Sequence, residues 1–253
     1  MNRIQNKLSE NKKILSIYFS AGFPNFNDTK SLIENLAKNK VDMIEIGLPF
    51  SDPLADGPTI QASSTQALKS GMTTEILFDQ IKDIRKTVDI PLIIMGYFNP
   101  ILQFGIENFL KKCRETGIDG LIIPDLPLEI YRSEYKQLFE NYGIAMIFLI
   151  TPQTSEERIR LIDENSNSFI YMVSSSGVTG SRDSFDKNQL EYFERIEAMN
   201  LKNPQIIGFG ISNKTTYQQA TKHQKGAIIG SSFIQFIANN PISNISSFIQ
   251  NLL

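Results

Sequence analysis

Cysteine and histidine are almost missing from this chain. Its 253 residues include one of each, Cys113 and His223. That scarcity excludes an intrachain disulfide, a thiolate-cluster metal site and a multi-histidine metal centre. It also leaves any chemistry to carboxylates, hydroxyls and backbone groups. Cys113 ends FLKKC at helical spacing from Ile106 and reads as a packed thiol rather than a nucleophile. His223, in KHQKG between a helix and a strand, reads as a solvated loop residue. Net charge is equally scarce: 25 basic against 27 acidic residues leave −2, too little for a global field that would attract nucleic acid or an anionic membrane. Any anion site must therefore be local. No apolar run approaches the roughly 20 residues of a membrane span, and the polar start MNRIQNKLSENKK lacks the apolar core of a secretory signal. The expectation is a cytoplasmic protein with no metal.

What the chain does have is short apolar runs in series: ILSIYF from Ile14, DMIEIG from Asp42, PLIIMG from Pro91, DGLIIP from Asp119, IAMIFLI from Ile144, SFIYMV from Ser168, PQIIGF from Pro204 and GAIIG from Gly226. They do not alternate, as befits strands of a parallel sheet covered on both faces. Amphipathic stretches lie between them. Leu77, Ile81, Ile84 and Val88 fall on one face, as do Ile106, Phe109, Leu110 and Cys113, and Ile242, Ile245, Ile249 and Leu252. Thr154 with Glu157 has the spacing of a capping box, and Asn27 or Asp28 can cap the first helix after Pro24. Eight strand–helix units in this length predict an α/β fold, a (β/α)8 barrel rather than a doubly wound open sheet. It would be preceded by one extra N-terminal helix around residues 2–11 and form a single domain over residues 1–253.

In such a barrel the working residues sit in the loops after the strands, and those after the second and sixth are long enough to act as lids. Stretches rich in small residues follow the last three strands: SSSGVTGS from Ser174, GFGIS from Gly208 and GSS from Gly230. Glycine lets backbone N–H groups converge on a ligand, and Ser231 and Ser232 open a short helical stretch, FIQFI, whose free N–H groups favour an anion. A phosphate monoester site built mostly from Gly180, Gly210, Gly230 and Ser231 is expected.

The stretch EIGLPFSDPLADGPTIQ carries three carboxylates, Glu45, Asp52 and Asp56. Glu45 interrupts a strand that is otherwise apolar, where burial raises its proton affinity and fits it to exchange a proton near neutral pH. No basic residue interrupts the other strands to offer it an ion pair. Asp52 and Asp56 both occupy ordinary turn sequences, and residue chemistry alone does not choose between them.

These residues resemble the signature of the tryptophan synthase α-subunit family. The other family landmarks follow in order along nearly the whole chain: SAGFP at 20, MGYFNP at 95, PDLP at 124, SSSGVTG at 174, GFGIS at 208 and GSS at 230. The resemblance implies a lyase of tryptophan biosynthesis that cleaves indole-3-glycerol phosphate to indole and glyceraldehyde 3-phosphate without a cofactor. Glu45 would then be the general acid/base, and Asp56 the anion that holds the indole N–H, leaving Asp52 as a turn or interface residue. Tyr97, Leu126, Ile150, Tyr171 and Phe209 would line the substrate slot, and Thr179 would contact the second-loop aspartate when the sixth loop closes. Gly180, Gly210, Gly230 and Ser231 match the family's phosphate contacts. Tyr18 stands where some members have phenylalanine, and Ser20 replaces a common threonine. The resemblance also implies a partner, the β subunit, in an αββα heterotetramer. Pyridoxal phosphate belongs to that partner, and this chain would face it through loops two and six and the segment from Asn99 to Phe104. Another phosphosugar barrel, or an α subunit that only activates its partner, are the competing readings; neither explains the intact acidic second loop.

Overall fold

The computed structural model describes residues 2–174 and 184–253. Among the described residues nine strand segments form one sheet: β1 (Ile14–Ser20), β2 (Met43–Gly47), β3 (Leu92–Met95), β4 (Gly120–Ile122), β5 (Ala145–Ile147), β6 (Leu149–Ile150), β7 (Ile170–Val173), β8 (Gln205–Gly208) and β9 (Gly226–Ile229). Every pairing is parallel, in the order β5-β4-β3-β2-β1-β9-β8-β7-β6. The two ends of this order, β5 and β6, are halves of the single run IAMIFLI, parted only at Phe148. One half pairs with β4 and the other with β7, and the Tyr171 N–H reaches the Phe148 carbonyl at 2.9 Å. The nine segments are thus the eight apolar runs closed into a (β/α)8 barrel. Isoleucine-rich strands buried along almost their whole length, with one apolar cluster running through strands and helices, explain why the runs lack alternation.

The extra N-terminal helix is Arg3–Ser9, started by a box between Asn2 and Gln5. Ile4 is fully buried, and Arg3 reaches Asp119 and Asp89 at 3.1 Å each. Asp119 also accepts from Arg85 and from the Leu92 N–H, so one carboxylate ties this helix to the start of β3 and β4. That seals the N-terminal end of the barrel and leaves the opposite mouth for chemistry. The three amphipathic faces pack as expected, although Val88 lies beyond a 3₁₀ turn at Ile84–Lys86 and Ile242 is only half-buried. Cys113 is a buried free thiol.

Three local expectations change. The helix Glu156–Asn165 is capped by Ser155, whose side chain accepts from the Arg158 N–H, because Thr154 turns back to Thr151. Asp28 precedes the helix Thr29–Lys38 without capping it, its carboxylate being occupied by Asn25. His223 is not a solvated loop residue: it closes the helix Lys214–His223, is 12% exposed, and its Nδ1 lies 2.8 Å from Glu197. Among the described residues no helix is long and apolar enough to cross a membrane.

Candidate active site

β1 and β2 run side by side with Tyr18 opposite Glu45 and Ser20 opposite Gly47. Residues two apart on a strand share a face, so Ser16 and Tyr18 point into the barrel together with Glu45 and Gly47. Their contacts bear this out. Ser16 Oγ donates to Glu45 Oε1 at 3.0 Å, and a Cβ on Gly47 would fall on the Tyr18 hydroxyl. Glycine at position 47 is what admits the Tyr18 ring. Gly208 on β8 does the same for the Tyr171 hydroxyl. Because strands run toward the mouth, Glu45 lies one layer below the two phenols.

Glu45 has no solvent exposure, and its Oε2 has no hydrogen-bond partner among the described residues. Burial without a counter-ion pushes its carboxyl up to about 8, against the opposing pull of the Ser16 bond. Asp56 is the loop carboxylate that turns inward. It is 5% exposed, and burial raises it to about 6 against a 3.2 Å bond donated by the Tyr97 hydroxyl. The same hydroxyl accepts the Ala55 N–H at 2.9 Å, so one phenol pins the tip of the second loop. Asp52 is exposed, and its carboxylate bonds only the neighbouring Ser51 among the described residues. The two aspartates that turn chemistry could not separate are separated by direction.

Asp56, Tyr18, Tyr171 and Phe209 line one cleft together with Gly210, Gly230 and Ser231. Phe209 and Gly210 both have φ of +72°, and the Phe209 carbonyl is held by the Ser174 hydroxyl at 2.8 Å. A phenylalanine kept in left-handed backbone at a cleft wall is strain that the surrounding bonds must sustain. Ser231 begins the helix Ser231–Asn239, and no side chain among the described residues caps that end. Its free N–H groups and positive dipole end suit an anion.

Not every expected residue comes together. Tyr97 meets the cleft only through Asp56. Leu126 lines a neighbouring hollow with Pro124, Phe148 and Arg158, and Ile150 is fully buried in β6. Thr179 and Gly180 lie outside the described residues. Ile60 and Met95 line the cleft, and Ser16 holds Glu45, without having been expected there. Ser16 had a signal: it is the hydroxyl inside ILSIYF, two residues before Tyr18 on the same face.

This arrangement offers a carboxyl at depth whose proton affinity burial raises further than that of the one at the mouth, an aromatic slot, and a helix N-terminus beside it. Such a set can protonate one atom of an aromatic substrate while stabilising positive charge at another.

Residues 4–252 match the family model described as tryptophan synthase alpha chain. The tryptophan synthase alpha chain of Flavobacterium psychrophilum is 69% identical over 252 residues, covering 100% of both chains. That of Bacteroides thetaiotaomicron is 56% identical over 238 residues, 94% of this chain and 93% of its own. The crystal structure of tryptophan synthase subunit alpha from Legionella pneumophila superposes with a TM-score of 0.90 at 31% identity, covering 100% of this chain and 97% of its own. Agreement in sequence and in barrel over essentially the whole length leaves one assignment: the chain belongs to the tryptophan synthase alpha chain family.

Proposed function

We propose that this chain, folded as one domain over residues 1–253, cleaves indole-3-glycerol phosphate to indole and glyceraldehyde 3-phosphate. The observation that carries the reading is a wholly buried Glu45, opposite Tyr18 in the barrel, below the aromatic cleft that Tyr18, Tyr171 and the inward-turned Asp56 line. In the first step Glu45 gives its proton to the indole carbon that bears the glycerol chain. The ring nitrogen becomes cationic, and the Asp56 carboxylate, hydrogen-bonded to its N–H, stabilises that charge. In the second, the Glu45 carboxylate takes the proton of the adjacent side-chain hydroxyl. The carbon–carbon bond breaks, its electron pair returns to the ring, and the hydroxyl oxygen becomes the aldehyde carbonyl. Glu45 ends protonated as it began, so no redox partner is needed, and the reaction calls for no cofactor in this chain.

Tyr171 and Phe209 flank the ring. Gly210, Gly230 and Ser231, with Gly180, hold the phosphate, and Thr179 meets Asp56 when the sixth loop closes. Indole passes to a cytoplasmic β subunit carrying pyridoxal phosphate, in an αββα assembly. Leu54, 91% exposed at the tip of the second loop, and Leu102, 47% exposed within Asn99–Phe104, support that face as the one that is covered.

The test is indole release by Glu45→Gln and Asp56→Asn. Each is expected to keep the fold by circular dichroism and to lose activity by about 100-fold or more. Near-native turnover in both would refute the assignment. Chemical-shift titration with glycerol phosphate is expected to move the Gly230 and Ser231 amides, and unmoved amides would refute the phosphate dock.

A further inference from the structure

We propose that Ser16 is the positioning residue of Glu45, holding Oε1 with its hydroxyl and leaving Oε2 as the oxygen that carries the exchanging proton. The inference rests on the function proposed above. Its ground is geometric. Both side chains are wholly buried, the Oγ–Oε1 distance is 3.0 Å, and Ser16 Oγ is the one partner of the carboxyl among the described residues. In register Ser16 stands opposite Met43, two residues before Glu45 on β2, so the bond draws the carboxyl toward the barrel floor.

A hydroxyl has one proton to donate. Given to Oε1, it makes that oxygen the acceptor, and the carboxyl's own proton is then better placed on Oε2, which has no competing donor among the described residues. A carboxyl with two equivalent free oxygens would divide its proton between two orientations, only one of which serves the substrate. The other titratable groups facing Glu45 are the phenols of Tyr18 on β1 and Tyr171 on β7; Asp56 on the second loop acts on the same two phenols. No lysine or arginine among the described residues pairs with Glu45. The Ser16 bond is consequently the one interaction that favours its charged form, opposing the burial that disfavours it.

The experiment is Ser16→Ala, with Ser16→Thr as the hydroxyl-restoring variant. Two readings are taken: the pH dependence of indole release, and a 13C titration of the Glu45 carboxyl assigned by loss of its signal in Glu45→Gln. In Ser16→Ala the Glu45 midpoint is expected to rise by about one pH unit in both, the size of one hydrogen bond to a charged group. kcat should fall, and KM should change less than about twofold. Ser16→Thr should bring the midpoint back. A merely structural serine would alter kcat or stability with the midpoint unmoved, and an unmoved midpoint in both readings overturns the proposal. Should Ser16→Ala fail to fold, Ser16→Cys, a weaker donor of similar shape, is titrated with the same two outcomes. The failures are distinguishable: an active Glu45→Gln sinks the proposed reaction, whereas an inactive Glu45→Gln beside an unmoved Ser16→Ala sinks only the role of Ser16.

Discussion

Replacing Glu45 by glutamine should make the protein more stable, and increasingly so as the pH rises. In the fold the carboxyl titrates at about 8, against 4.5 for the free side chain, because it is buried with a single hydrogen bond. An acid whose proton affinity is raised by folding contributes most below its unfolded value, and that contribution is lost as pH climbs through the folded one. Between those limits the native state holds a proton that the unfolded state has released. Stability therefore falls by about 1.4 kcal/mol per pH unit. From pH 5 to pH 8 the loss attributable to Glu45 is about 4 kcal/mol, a large share of the stability of an ordinary domain. Glutamine keeps the shape and an acceptor for the Ser16 hydroxyl but has nothing to ionise. The assay is equilibrium urea unfolding from pH 5 to pH 9, followed by circular dichroism and by tyrosine fluorescence, which eight tyrosines and no tryptophan make clean. Asp56 adds a loss of the same sense up to about 6, but it is common to both proteins and cancels in the difference. The difference curve should slope across pH 5–8 and flatten above. Parallel curves would refute the raised proton affinity and with it the argument for Glu45 as a proton donor near neutrality.

The pH dependence of kcat/KM for indole release should be bell-shaped, with limbs near 6 for Asp56, which must be ionised, and near 8 for Glu45, which must be protonated; a flat profile across pH 5–9 would contradict both roles. Tyr97→Phe removes the donor to Asp56, so the acid limb alone should move to higher pH, as a rate profile would reveal. Gly47→Ala should lower kcat/KM by about 10- to 100-fold, because the new Cβ also lies 2.6 Å from Tyr18 Cζ and forces the ring into the cleft. Tyr18→Phe should not rescue it, whereas Tyr18→Leu should in part. Leu54→Asp is expected to leave the isolated chain's activity unchanged and to weaken activation by a β subunit in titrations of one with the other.

Much of this was legible in the residues. Strand identity came from apolar runs that ignore alternation, a pattern only a sheet covered on both faces tolerates, and Glu45 stood out because it breaks one of them. The helix start at Gly230 and Ser231 was readable because a glycine before a short apolar helical run has backbone consequences that need no tertiary context. The rest depended on direction. Whether Asp52 or Asp56 faces inward is decided by Tyr97, 41 residues along, whose hydroxyl bonds Asp56 and the Ala55 N–H together. Ser155 outcompetes Thr154 as a cap because Thr151 engages Thr154 first, and His223 is drawn onto Glu197 by helix packing. Leu126 and Ile150 are apolar residues on adjoining strands and loops, and apolarity alone does not say which cavity wall a side chain serves. Gly47 and Gly208 would pass as ordinary strand ends until two tyrosine hydroxyls are found where their side chains would be.

Those two glycines connect the fold to the proton chemistry. Free aspartate and glutamate differ by less than one pH unit, too little for one carboxyl to be an acid while its neighbour is an anion. Here they stand at about 6 and about 8, with neutrality between them. Each carboxyl takes one hydroxyl bond, Glu45 from Ser16 and Asp56 from Tyr97, so the bonds do not widen the gap. What separates them is depth, since burial raises Glu45 further than Asp56. Glu45 sits on a strand under two phenols that glycine admits, shut off from water. Asp56 rides a loop at the cleft wall and takes a proton bond from Tyr97. An alanine at position 47 should therefore do more than block the slot: by displacing Tyr18 it opens Glu45 to water, lowers its proton affinity, and narrows the pH range in which donor and anion coexist. The alkaline limb of Gly47→Ala should fall toward the acid one, and a limb that stayed near 8 would mean that the tyrosine roof does not keep water from Glu45.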